Sequence, residues 1–163
     1  MRNAVVVLSD HHGIITFSQC CEKHVTVVTF HLKNFEPRQT HAIHIHEFGD
    51  TRDGCKSLGL HYNPFGATHG CKALGDNMHH RHAGDLINNF KTDDHGKFEY
   101  TYEDTLITLH EEDSIYGRSI VIHRGIDDLG RGTGANEKES LISGNAGERI
   151  SCGVIGRSSE ASL

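Results

Sequence analysis

The chain has 163 residues, a formal net charge of −6, fifteen histidines, eighteen glycines and no tryptophan. That length suits one domain rather than two. No apolar run nears the ~18 residues of a membrane helix, and the acidic balance argues against a general nucleic-acid binder. Met1 to Asp10 hold one Arg and a short apolar run, Ala4 to Leu8, so no secretory signal is expected and the expected location is cytoplasmic.

The apolar pattern is short, β-branched and mostly of period two. It predicts strands at Ala4–Leu8, Gly13–Ser18, His24–Leu32, Thr40–Glu47, Asp85–Phe90, Lys97–Tyr102, Ser119–His123 and Ile150–Val154. Eight such strands with Gly and Asp/Asn between them read as an all-β antiparallel sandwich or flattened barrel. Asp93-Asp94-His95-Gly96 reads as a hairpin turn. Two long stretches interrupt the strands, Phe48 to Gly84 and Arg124 to Glu148, and hold thirteen of the glycines. Loops this long are functional or disordered. Asn136 followed by Glu139 would cap one short helix in the second. Residues 1–156 read as one domain and 157–163 as a frayed tail.

The histidines are not spread evenly. Eight fall between residues 41 and 82, and imidazole is the commonest protein metal ligand. In Thr40-His41-Ala42-Ile43-His44-Ile45-His46, residues two apart share a strand face ~7 Å apart. His44 and His46 therefore point one way, and Ile43 and Ile45 the other, into a core. The pattern fits a metal site or a solvent-facing polar face. His61, His69 and His82 follow in the first long loop, with Asp85 three residues beyond. Three imidazoles and a carboxylate suit tetrahedral zinc. His123 closes an apolar run and is either a core-edge histidine or a further ligand. Six histidines and one Asp exceed what one four-coordinate ion uses. Two ions sharing one imidazole would use them all, because that ring has two nitrogens.

The runs His44-Ile45-His46-Glu47-Phe48-Gly49-Asp50, Gly54-Cys55, His61-Tyr62-Asn63-Pro64, His69-Gly70 and His82-Ala83-Gly84-Asp85-Leu86 are followed in order by Gly117 to His123, Asp127-Asp128-Leu129-Gly130, Gly144-Asn145-Ala146-Gly147, Arg149 and Cys152-Gly153-Val154-Ile155-Gly156. Over nearly its whole length the chain resembles the copper-zinc superoxide dismutases. The resemblance implies an eight-stranded Greek-key sandwich with two long functional loops. It implies copper on His44, His46, His61 and His123, and zinc on His61, His69, His82 and Asp85, with His61 bridging. It further implies Asp127 behind His44 and His69, a Cys55–Cys152 disulfide, Arg149 as the anion-receiving group and Ser143 as a channel-lining hydroxyl. The implied reaction converts two superoxide anions to dioxygen and hydrogen peroxide by one-electron cycling of copper, as antioxidant defence. Implied partners are superoxide, a second copy of the chain through a flat apolar patch near Gly49 and Ile155, and a copper chaperone. The rival reading is a catalytically silent copper- or zinc-binding relative, or a metallochaperone-like one.

The chain departs from that family in two places. Twelve residues, Gly70 to Arg81, separate His69 from His82, a longer spacing than the family usually shows. This stretch brings His79, His80 and Cys71 near the ligands; His79 and His80 are expected to be solvent-facing bystanders and Cys71 an adventitious ligand at most. Ser140-Leu141-Ile142-Ser143 stands where many relatives place a guiding Lys, with Lys138 nearby but not clearly equivalent, so weaker electrostatic steering is expected. Five cysteines leave at least one thiol unpaired; Cys20 and Cys21 are expected to be free thiols in a turn.

Overall fold

The computed structural model describes residues 1–20, 24–72, 78–110 and 112–159. Its strands are β1 (Arg2–Val7), β2 (Gly13–Gln19), β3 (Thr26–Leu32), β4 (Thr40–His46), β5 (Asn88–Lys91), β6 (Phe98–Asp104), β7 (Ser119–His123), β8 (Arg149–Val154) and β9 (Gly156–Arg157). They form two antiparallel sheets, ordered β6-β3-β2-β1-β9 and β5-β4-β7-β8. The eight expected strands all form, and a short ninth joins them. Ala4 pairs with Arg157, and the Ser158 amide donates to the Asn3 carbonyl. Ordered pairing thus runs into the segment expected to be a tail.

Alternation decides which residues fill the space between the sheets. Ile43 and Ile45 of β4, Ile120 and Ile122 of β7, Val28 and Phe30 of β3, and Ile15 and Phe17 of β2 are buried in one core. Residues one step away on β4 and β7 face outward. Val121 is covered by Leu58 and Cys152, and His44 and His46 are covered by the long loops. A β-strand that is buried on both faces is what places polar ligands out of solvent here.

Two expectations change. Strand β5 starts at Asn88 rather than Asp85. Asp85 is held in a turn by the hydrogen bond its amide donates to the His82 carbonyl, and Asn88, where the strand begins, takes φ +58°, a left-handed conformation that Asn tolerates. The turn at Asp93–Gly96 forms, with Asp93 bonding Lys97 and Gly96 at φ +70°. Its flanking strands do not pair, because β5 joins β4 in one sheet and β6 joins β3 in the other. A Cβ on Gly96 would lie 2.0 Å from the Phe35 carbonyl oxygen, so this corner between sheets requires Gly. In the second long loop a helix, α1 (Glu137–Ser143), forms with Asn136 at its start. Asn136 makes no side-chain cap bond there; the Glu139 carboxylate instead accepts from the Ser143 hydroxyl.

Candidate metal centre

The six histidines and Asp85 come together as two groups that share His61. His44, His46, His61 and His123 form one; His61, His69, His82 and Asp85 form the other. In each, one ligand atom per residue lies within 4.8 Å of the rest, and every member is buried. Strand β4 supplies His44 and His46, and β7 pairs beside it to supply His123. An isolated bridge from His46 to His61 brings the first loop over them.

Outer hydrogen bonds choose which nitrogen of each ring faces inward. His46 Nδ1 donates to the Gly59 carbonyl at 3.0 Å, and His123 Nδ1 to the Gly147 carbonyl at 3.0 Å. Their Nε2 atoms are left facing each other 3.4 Å apart. His44 Nε2 donates to Asp127 Oδ2 at 2.6 Å, which leaves Nδ1 as its inward atom. On the other side, His61 Nδ1 and His69 Nδ1 approach Asp85 Oδ1 at 2.9 and 3.0 Å, and His82 Nδ1 lies 3.4 Å from it. His44 Nδ1 and His61 Nε2 are buried with no hydrogen-bond partner among the described residues. Buried polar atoms are normally paired, and lone pairs converging from three or four sides are what a metal ion satisfies. The donor set fits two ions: four imidazoles suit copper, and three imidazoles with a carboxylate suit zinc.

Burial sets the charge states. Desolvation, aided by the neighbouring His61, pushes His44 down to about 3, and desolvation pushes His123 down to about 4. His46 is held well below its usual value for the same reason. Neutral imidazoles are the form that ligates. His69 is the exception. Desolvation opposes its charge, but hydrogen bonds to Asp127 and Asp85, one at each ring nitrogen, outweigh this and raise it to about 10. Both carboxylates are correspondingly depressed despite their burial. Zinc in this group would displace that proton.

These shifts give a sign for the metal-free chain. His44 and His123 titrate near ~6.5 when unfolded and at about 3 and about 4 when folded. Their stabilisation is complete above the unfolded value and is lost as pH falls through the folded ones. The depressed Asp85 and Asp127 lose theirs in the same direction, whereas His69 keeps its contribution on acidification. We expect the urea midpoint of the metal-free chain to fall between about pH 7 and about pH 5. An unchanged or higher midpoint at the lower pH would contradict this assignment of charge.

Asp127 joins the two groups from behind: Oδ2 takes His44 Nε2 and Oδ1 takes His69 Nε2 at 2.8 Å. Gly144 makes room for this link. A Cβ there would lie 2.1 Å from Asp127 Oδ1 and 2.5 Å from His69 Nε2.

A cavity of about 310 Å³ reaches the first group. His46, His61 and His123 form its floor, and Arg149, Ser143, Glu139, Leu60 and Ile142 stand around it. A register shift in the pairing of β7 with β8 brings Arg149 opposite His123, where regular pairing would put Ile150. Arg149 Nη1 donates to the Cys55 carbonyl at 2.8 Å, and Nη2 to the Gly59 carbonyl at 2.6 Å. Cys55 is bonded to Cys152. A larger cavity, about 610 Å³, lies across His61 and His82. Its cation is Arg118 rather than Arg149, and the smaller one is where Arg149 meets His46, His61 and His123.

The structure also places the remaining candidates. His79 and His80 are exposed and lie outside both groups, while Cys71 is buried and outside them too. Cys20 is half-buried just after β2; Cys21 lies outside the described residues. Ile155 is 1% exposed in the core, so it offers no surface for a second copy. Three residues that matter here escaped the sequence reading. Arg81 is fully buried and grips both oxygens of Asp104 at 2.8 and 2.9 Å, while its Nη1 donates to the Asp85 carbonyl at 2.8 Å. Asn88 donates to Asp127 Oδ2 at 2.9 Å. Arg81 reads as a surface loop residue, since Arg is seldom fully buried; nothing in its spacing from Asp104 signals a pair.

The family model for copper/zinc superoxide dismutase (SODC) matches residues 11–155. The chain belongs to that family. It is 45% identical to the Cu-Zn superoxide dismutase of Talaromyces marneffei over 159 residues, covering 96% of this chain and 98% of that one. The Saccharomyces cerevisiae enzyme of the same name is 45% identical with the same coverage, and that of Humicola lutea 46% over 96% of this chain and 99% of its own. The two histidine groups fit the copper and zinc in that family's name.

Proposed function

We propose that the chain dismutes superoxide at a copper held by His44, His46, His61 and His123, next to a zinc held by His61, His69, His82 and Asp85. The observation that carries this is the pair of buried groups sharing His61 beneath a cavity that Arg149 lines. Copper supplies a one-electron couple that zinc does not have, which two superoxide ions of opposite fate require. The chain's own residues do the rest. Arg149 gives the cavity a fixed cation for an anionic substrate. Its guanidinium is oriented by the Cys55 and Gly59 carbonyls, so little reorganisation is needed when the anion arrives. His61 offers Nδ1 to the Asp85 side and Nε2 to the His44 side, and Nε2 is the atom at which a proton for the product is held. Asp127 fixes the tautomer of His44 and His69 together.

The deciding experiment is superoxide decay catalysed by copper- and zinc-loaded protein after brief exposure to a chelator, since free copper also dismutes superoxide. We expect fast decay that survives the chelator and is lost in His123→Ala. Slow decay, or decay abolished by the chelator, would leave a metal-binding protein without the activity.

The cavity mouth refines the steering expectation. Ile142 and Glu139 border it, and Arg149 is the cation in its lining. With a net charge of −6, attraction is local. We expect kcat/KM to fall less steeply with ionic strength than in relatives that carry a Lys in this loop; an equally steep fall would show that charges outside the mouth do the guiding. A homodimer would use the exposed Phe48 and Val154 beside Gly49 and Gly117. A copper chaperone would act before catalysis, at loading.

A further inference from the structure

Asn is a poor strand former, yet two of the four residues of β5 are Asn. Successive residues of a regular strand project to opposite faces, yet both of these side chains reach Asp127. Asn88 does so because its φ of +58° turns the chain. It is fully buried, and its amide group donates to Asp127 Oδ2 at 2.9 Å and to the Gly70 carbonyl at 2.8 Å. Asn89 grips the same residue by its main chain. Its Nδ2 donates to the Asp127 carbonyl at 2.9 Å, and its Oδ1 accepts from the Asp127 amide at 2.8 Å.

We propose that Asn89 is a positioning residue for the metal centre, acting through the main chain of Asp127. The inference rests on the ligand assignment above and adds what holds it in register. Asp127 sits in a long loop, where backbone is mobile unless tied down. Asn89 ties both polar atoms of its peptide frame to a strand of the sheet that carries His44 and His123. A shift of Asp127 would move His44 and His69 together, one from each group, because its two oxygens hold one apiece. Asn89 therefore sets both sites at once, although it contacts no ligand side chain.

The test uses the metal-loaded protein with Asn89→Val and Asn89→Thr, both better strand formers than Asn, so that the sheet is not weakened by the exchange itself. Val28→Ala, a cavity in the opposite sheet, serves as the comparison for general destabilisation. Two quantities are read: the rate of zinc transfer to a chromogenic chelator, and the electron-paramagnetic-resonance spectrum of bound Cu(II). The expected result is zinc release roughly 10-fold faster than wild type with an altered Cu(II) spectrum in both Asn89 variants, and an unaltered spectrum in Val28→Ala. Wild-type release, acceleration no greater than in Val28→Ala at matched thermal stability, or an unchanged Cu(II) spectrum would overturn the proposal. A wild-type chain that retains neither metal would overturn the assignment of the centre and this inference with it.

Discussion

Asp104→Ala should lower the stability of the protein by about 3–5 kcal/mol, because it takes the buried Asp104 carboxylate away from a buried guanidinium. For a chain of this size that corresponds to a drop in Tm of roughly 6–20 °C. Arg81 and Asp104 are both fully buried, and the two bonds between them are 2.8 and 2.9 Å long. Asp104 Oδ1 also accepts from the Leu106 amide. The effect reaches the metal centre through Arg81 Nη1, which donates to the carbonyl of Asp85, a member of the zinc group. Arg81 immediately precedes His82, so the pair anchors the loop on both sides of two ligands. We therefore expect weaker zinc binding together with the lower Tm. Asp104→Asn, which keeps hydrogen-bond acceptance but not the charge, should fall between. Calorimetry of the metal-free and metal-loaded forms measures both quantities. A change of less than about 1 kcal/mol, the range of exposed pairs, would mean the guanidinium finds other partners or water.

Removing the Cys55–Cys152 crosslink should be comparably costly for stability and should also slow the reaction. The bond spans 97 residues, and the chain-entropy model assigns about 4–5 kcal/mol to a loop of that length. A Cys55→Ser, Cys152→Ser double variant avoids a stray thiol and isolates this effect. The activity consequence comes from geometry. Arg149 takes its orientation from the carbonyls of Cys55 and Gly59, which lie on the segment that the disulfide pins to β8. Freed, that segment can carry the guanidinium away from the cavity, and small misplacements of a binding group cost up to roughly 10²-fold in rate. The expected pattern is a loss in kcat/KM with copper and zinc content unchanged. A double variant with intact metals and full rate would show that the Cys55 and Gly59 carbonyls hold Arg149 without the crosslink.

Much of this centre was legible in the residue order. Period-two alternation separated His44 and His46 from Ile43 and Ile45, and the structure places the first pair in a buried group that could hold a metal ion and the second in the core. The same local rule found all eight longer strands. The surplus of histidines over one coordination sphere called for a shared imidazole, and His61 is the member common to both groups. Resemblance to the family supplied the Cys55–Cys152 pairing, Asp127 and Arg149, which periodicity alone leaves open.

Other features depended on how the loops close. Asp93–Gly96 has the composition of a hairpin turn, but composition specifies a reversal and not which sheet each flanking strand joins. Ile155 follows the exposed Val154 in the chain and yet points inward. Arg81 with Asp104, and Asn89 with Asp127, are separated by 23 and 38 residues, and their partners are chosen through space. The order of residues on a strand determines its faces, because the backbone repeat is short and rigid. The sequence by itself therefore determined the sandwich, the strand that carries two ligands and the demand for a shared histidine. Only the tertiary structure decided which buried polar groups in the loops hold one another, because each of those bonds requires two distant segments to lose their water at the same place.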